Sequence, residues 1–393
     1  MRISHVITRL IIGGAQENTI STVLGLAKIP GVSVDLISGP TTGPEGSLVS
    51  SLPPGMLTIL PELVRPVHPW ADYRAYLKLT RLFQDTRPRI VHTHSGKAGV
   101  IGRLAARRAG VPTIIHTIHG PSFGAFQGIL SNFLFTNAER LAGRATTHFI
   151  SVADAMTRQY LEAGIGRPQQ YTRVFSGFAL QPYLEARNDV ELRARLGIGP
   201  RDFVVGSIAR LFKLKGHDDI LNVAGEICRQ CPDLKFLWVG GGPWRERLEA
   251  RIRNLGLADR FVFTGLVPPS EVHRYVGIMD ALAHLSRREG LPRALPQALA
   301  AGKPVVAYDC DGAREVCLEG QTGFLVAVND TATLSSRLVE LCRNASLRHR
   351  LGEAGREFVR TNFSEQTMVD AIWRVYRQVD SQVEQSEQSV ARR

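Results

Sequence analysis

The chain has 393 residues, 44% hydrophobic and 21% charged, with a formal net charge of +12. That length exceeds one ordinary core and fits two domains, and the composition excludes a disordered or fibrous chain. The basic balance points to anionic partners such as phosphorylated small molecules or acidic membranes, although solubility alone accounts for it equally well.

The N-terminal MRISHVITRLIIGG is a short apolar stretch followed by a glycine pair, with no small-residue cleavage site. It predicts a mature first strand rather than a signal peptide. No stretch has the roughly 18 uninterrupted apolar residues of a spanning helix. All five cysteines lie beyond residue 227 and their number is odd, which fits a reducing cytosol. Cys228 and Cys231 form a C-x-x-C in a helical pattern without a second pair, so an inert pair is expected rather than zinc or redox chemistry.

Strand patterns run in chain order through RISHVITRL, SVDLIS, RIVHTH, TIIHTIHG and THFISV, with amphipathic segments at 16–29, 71–86 and 97–109 between them. The second half repeats the scheme with FVVGSIAR, KFLWVGGG, RFVFTG, ALAHLS, PVVAY and GFLVA. This alternation predicts an α/β chain with two doubly wound, parallel-sheet, Rossmann-like domains facing a cleft. The expected divisions are an N-terminal domain over 1–175, a linker over 176–199 and a C-terminal domain over 200–363. A helix over 364–380, with Met368, Ile372, Trp373 and Tyr376 on one face, and a disordered polar tail over 381–393 complete the chain.

Ligands of doubly wound sheets bind beyond the carboxyl ends of strands, so post-strand residues are the site candidates. Gly13 and Gly14 follow the first strand and open a helix whose positive end suits an anion. They lack the G-x-G-x-x-G spacing, and a plain tight turn explains them as well. His92 and His94 share a strand face, and His116 and His119 end the next strand. No carboxylate accompanies these four, so no metal is expected. His119, before Gly120, is the best exposed of them; structural roles suffice for the other three. Arg210 and Lys215 follow the FVVGSIAR strand and suit a diphosphate. VGGGP suits either a nucleotide contact or a simple turn, and Val267 before two prolines suits either a base contact or loop packing. In REGLPRALPQALAAG, Pro296 belongs in a first helical turn and Gly302 at a C-terminal cap. Glu289 precedes that helix, where it suits sugar hydroxyls, beside Gly290 and Leu291, whose N–H groups suit a phosphate. Gln297 would lie about 12 Å beyond Glu289 were the whole stretch helical. Asp309 and Asp311 form a D-x-D that is expected to be a turn.

The ordered set GGAQ, HTH…HTIHG, ARLFKLKGH, VGGGP, FTGLV and EGLPRALPQALAAGKPVVA resembles the family 4 retaining glycosyltransferases of the B-type, two-Rossmann-domain fold. The resemblance spans nearly the whole chain. It implies sugar transfer from a nucleoside-diphosphate sugar as co-substrate, with no cofactor and no metal. It implies that Gly14 backs the phosphates, His119 contacts the transferring sugar, Arg210 and Lys215 neutralise the diphosphate, Glu289 holds sugar hydroxyls and Val267 lies by the base. It also implies that the last helix crosses back to the N-terminal domain. One position departs: the second glutamate of the family's acidic motif is Gln297 here, an exchange worth roughly 1–2 kcal/mol of ribose binding if uncompensated.

Apolar and basic residues at 120–145, with Arg140 and Arg144, and the 97–109 helix, with Lys97, Arg103, Arg107 and Arg108, imply docking on an anionic membrane surface. A buried helix with a solvated basic edge explains the same pattern. The expectation is a cytoplasmic protein, peripheral on the inner membrane face, acting on a sugar or lipid-linked acceptor of the cell envelope. Two other readings stay open at this point. A sugar-nucleotide epimerase would convert donor alone, and a non-catalytic sugar-nucleotide-binding protein would show no turnover. Nucleic acid is not an expected partner, because the basic residues are dispersed without an aromatic-basic motif.

Overall fold

The computed structural model describes residues 1–41, 46–124 and 126–391. The chain divides into two compact units, Met1–Phe178 with Glu365–Arg393, and Ala179–Ser364. The first holds β1 (Arg2–Ile7), β2 (Ser33–Ser38), β3 (Leu57–Ile59), β4 (Ile90–His94), β5 (Thr113–Ile118), β6 (His148–Ser151) and β7 (Tyr171–Arg173). Their order across the sheet is β3-β2-β1-β4-β5-β6-β7, all parallel. The second unit holds β8 (Phe203–Ile208), β9 (Leu234–Val239), β10 (Phe261–Gly265), β11 (Ala281–His284), β12 (Val305–Tyr308) and β13 (Gly323–Val326). These run parallel in the order β10-β9-β8-β11-β12-β13. Strand order reverses between β1 and β4 and again between β8 and β11. Such switch points open a crevice at the strand C-termini.

Both sheets are buried on two faces, so their strands are nearly continuous apolar runs. In the first unit, Val6, Val91 and Ile114 pack under helices Pro69–Thr86 and Gly96–Arg108. On the opposite face Ile3, Ile90 and Ile115 meet the closing helix Glu365–Ala391 through Met368, Val369, Ile372, Val375, Tyr376 and Val379. That spacing is one stripe of an amphipathic helix. Gly25 of helix Gly14–Leu26 lets the two helices close up, since a Cβ there would stand 2.4 Å from a Val369 methyl. In the core of the second unit Phe236 stacks on Phe261, and Trp238 meets Phe261 edge-on.

Three features depart from expectation. The closing helix continues to Ala391 rather than ending near 380. Its extension is held where Asp380 accepts from Arg89 at 2.6 Å and from Thr113 at 3.0 Å, with Glu384 3.3 Å from Arg89. The segment expected as a linker carries helices Gln181–Leu184 and Val190–Arg195. From Ala179 onward it belongs to the second unit, where buried Arg193 donates to the carbonyls of Gly199, Asp202 and Ile278. Arg103, expected on a basic surface, is fully buried and paired with Glu139 at 2.5 Å. Glu139 in turn accepts from Ser122 at 3.0 Å.

Candidate active site

In the second unit the loop after β8 and the loop after β11 lie side by side at the switch point. Leu214 and Gly216 both have left-handed backbones, with φ of 75° and 73°, so Lys215 sits on a sharp double turn. Non-glycine residues avoid that region, and Leu214 is held there by Arg287, whose N–H donates to the Leu214 carbonyl at 2.8 Å. Gly216 touches the other loop directly: a Cβ there would stand 2.3 Å from the Leu285 carbonyl oxygen. Helix His217–Gln230 begins immediately afterwards.

This turn brings Lys215 onto Glu289, which its ammonium contacts through Oε1, and within 3.3 Å of Ser286 Oγ. His284 at the end of β11 places Nε2 3.6 Å from the same carboxylate oxygen. Burial works to raise the Glu289 pKa, but His284 and Lys215 outweigh it and hold it at about 2. Glu289 is therefore an ionised acceptor at neutral pH. Its own N–H donates to Asp311 Oδ2 at 2.8 Å, which fixes the loop, and Asp311 itself has a left-handed φ of 48°. Among the described residues no group accepts from the N–H of Gly290 or Leu291.

The helix that follows is Ala294–Ala300, with Pro296 in its first turn and Gly302 beyond its end at φ 68°. Residues 289–293 are not helical, so the expected 12 Å rise to Gln297 does not apply. Gln297 is half-buried. Arg210 is exposed, its guanidinium 5.5 Å from the Phe212 ring centre. Val267 is buried in the loop after β10. The triple glycine after β9 packs on backbone: a Cβ on Gly240 would stand 2.2 Å from the Ala209 carbonyl, and one on Gly242 2.3 Å from that of Leu211. These glycines seat one post-strand loop against another. Of the D-x-D, Asp309 pairs with Arg314 at 2.6 Å while Asp311 shapes the Glu289 loop. Asp311, Ser286 and His284 contact the candidate pair of Lys215 and Glu289, and sequence reasoning assigned none of them a part in the site.

In the first unit Gly13 is the extended residue before helix Gly14–Leu26, and Glu17 lies in its first turn. Gly14 is exposed and Gly13 half-buried. His119 follows β5 directly. Register sets His5 opposite His92, and His94 opposite Thr117, so these side chains and His119 share one sheet face. His119 Nε2 lies 3.1 Å from His94 Nδ1, and His94 Nε2 lies 2.9 Å from His5 Nδ1. Tyr376 of the closing helix places its hydroxyl 3.4 Å from His5 Nε2 and 2.5 Å from His92 Nδ1. His92 Nε2 is 2.6 Å from Thr117 Oγ1. Burial lowers the His5 pKa to about 3 and that of His119 to about 4, and carries His92, His94 and His116 well below their ordinary value. The rings are neutral. His5, His92 and His94 bring nitrogens within 4.8 Å of one another. Two ligands on a tetrahedral zinc would stand about 3.3 Å apart for Zn–N of about 2 Å. The 2.9 Å between His5 and His94 is a hydrogen bond instead.

The sequence profile of glycosyl transferases group 1 matches residues 188–358, and that of the glycosyl transferase 4-like domain matches residues 13–176. A GDP-mannose-dependent phosphatidylinositol monomannoside mannosyltransferase of Mycolicibacterium smegmatis is 30% identical over 280 residues, which cover 68% of this chain and 70% of the relative. The chain belongs to the family 4 glycosyltransferases of the B-type fold. This enzyme is also 26% identical over 286 residues to an Escherichia coli UDP-Gal:GlcNAc-diphosphoundecaprenol galactosyltransferase, covering 72% of this chain and 73% of that one. The fold matches Anabaena HepE, crystallised with UDP and glucose, at a TM-score of 0.80 and 21% identity over 96% of this chain and 99% of that one. It catalyses glycosyl transfer, and the epimerase and binding-protein readings are not favoured.

Proposed function

We propose that the enzyme moves a sugar, with retention, from a nucleoside-diphosphate sugar to an acceptor hydroxyl. The observation that carries this reading is the Lys215–Glu289 pair at the second switch point: a cation beside an ionised carboxylate that His284 and Asp311 hold in place. Lys215 and Arg210 neutralise the diphosphate and the charge that grows on it as the sugar leaves. Gly290 and Leu291 offer N–H donors to the same anion, Gly13 and Gly14 back the phosphates, and Val267 lies by the base. Glu289 accepts from sugar hydroxyls, Gln297 from the ribose, and His119 from the transferring sugar. The named relatives use UDP-Gal and GDP-mannose, so a thermal-shift panel of UDP-, GDP- and ADP-sugars is the test. One class is expected to raise the unfolding temperature by several degrees at saturating concentration. No rise with any of them would sink the reading.

The acceptor is proposed to be lipid-linked. Helix Ile129–Gly143 exposes Ile129 at 93%, Leu130 at 72%, Phe133 at 64% and Leu134 at 56%, together with Arg140 and Arg144. Arg107 and Arg108 add charge on the preceding helix. Arg103 is buried and Lys97 is paired with Asp72, so neither contributes. Apolar side chains flanked by arginines suit the surface of an anionic bilayer. Among the described residues no helix is long and apolar enough to cross a membrane. The enzyme is expected to sediment with anionic vesicles at low salt, and Phe133→Glu with Leu134→Glu to remain in the supernatant. Equal sedimentation of both proteins would contradict the docking face.

A further inference from the structure

We propose that His94, His5 and Tyr376 are positioning residues that fix the proton on Nε2 of His119 and leave its Nδ1 as a bare hydrogen-bond acceptor for the transferring sugar; this rests on the sugar-contact role proposed for His119. Each contact in the row His119–His94–His5–Tyr376 joins two groups of which one must donate and one accept. Neutral imidazole has a single N–H, so the direction of one bond dictates all the others. Two arrangements satisfy the row. In one, Tyr376 donates to His5 and every proton along the row sits on Nδ1, including that of His119. In the other, Tyr376 donates to His92 and every proton sits on Nε2.

The distances select the second. The Tyr376 hydroxyl is 2.5 Å from His92 Nδ1 and 3.4 Å from His5 Nε2. A hydroxyl donor makes the shorter bond, and 3.4 Å is too long for it to prefer His5. The phenolic proton therefore points at His92, His92 passes its own Nε2 proton to Thr117 Oγ1 at 2.6 Å, and the Tyr376 oxygen is left to accept from His5 Nε2–H. His5 Nδ1 then accepts from His94 at 2.9 Å, and His94 Nδ1 accepts from His119 Nε2–H at 3.1 Å. His5, His92, His94 and Tyr376 are at most 1% exposed, so water does not compete for these bonds. His119 alone is partly exposed, and Nδ1 is its remaining polar atom. Burial keeps protonation from breaking the pattern at neutral pH. The residues come from β1, β4, β5 and the closing helix, so the helix that completes the first unit also orients its site histidine.

The test is nitrogen-15 NMR of the full chain labelled at histidine, at pH 7.5, joined to kinetics. Couplings across the hydrogen bonds from His119 Nε2 to His94 Nδ1 and from His94 Nε2 to His5 Nδ1 are expected, with both protons on Nε2. His94→Leu is expected to raise KM for the donor that the wild type uses by about tenfold, the worth of one hydrogen bond to a sugar, while the affinity for the matching free nucleoside diphosphate stays within about twofold. His94→Asn, whose amide oxygen can replace Nδ1 as acceptor, is expected to recover most of that loss and guards against a merely misfolded variant. Protons on Nδ1, missing couplings, or an unchanged KM in a folded and active His94→Leu would overturn the proposal. A wild type that transfers no sugar from UDP-, GDP- or ADP-sugars, with the couplings intact, would overturn the proposed function instead.

Discussion

Glu289→Ala is expected to lower sugar transfer by about 10³-fold while nucleoside-diphosphate affinity changes by less than about threefold. The split follows from geometry. In the proposed site Lys215 and Arg210 are assigned to the diphosphate, and Glu289, the ion-pair partner of Lys215, to the sugar hydroxyls. The substitution also frees Lys215 and His284 from their shared carboxylate, which leaves the cation available to phosphate. Glu289→Gln separates charge from shape: it keeps the volume and one acceptor oxygen, and is expected to retain more activity than alanine but well under a tenth of wild type. Turnover and calorimetric affinity on the same preparations check both. Full activity in Glu289→Ala would remove the residue from the site.

Acid is expected to destabilise the first unit well above the pH at which its carboxylates titrate. His5 and His119 have folded pKa values of about 3 and about 4, against 6.5 when unfolded, and His92, His94 and His116 are lowered as well. A depressed folded pKa means that the unfolded chain takes up the proton first. The stabilisation is fully present above about pH 6.5 and is lost as pH falls toward the folded values. Each such group costs about 1 kcal/mol per pH unit in that window. Five together are expected to lower Tm by at least about 10 °C between pH 7.5 and pH 5.5. Scanning calorimetry across that range checks it, and a flat Tm would show that these histidines already bind protons in the folded chain.

The central strands and the post-strand loops were legible because each leaves a local mark. Apolar runs mark buried parallel strands, and Arg210, Lys215 and Glu289 stand directly after such runs. Edge strands β3 and β7 span three residues each, too short for any periodicity to register. Arg103 looked solvated because its partner Glu139 lies on another helix. Arg193 looked like part of a polar linker because its acceptors are carbonyls, which carry no sequence signature. Asp311 reaches Glu289 only once β11 and β12 are neighbours, and His284 reaches it through the fold-back of the loop after β11. The histidine row needs the register of three strands and the docking of a helix more than 250 residues away, with Tyr376 separated from His92 by 284 positions. The triple glycine was ambiguous in sequence because a close approach to ligand and a close approach to backbone demand the same residue.

Lys215 and Glu289 are proposed to form the donor site of the enzyme. Calorimetric titration of the nucleoside diphosphate whose sugar gives the largest thermal shift, against wild type and Lys215→Ala, tests it most directly. A loss of affinity of about 100-fold in Lys215→Ala, the cost of removing a charge-assisted phosphate contact, is the predicted result. Equal affinity in the two proteins would contradict it.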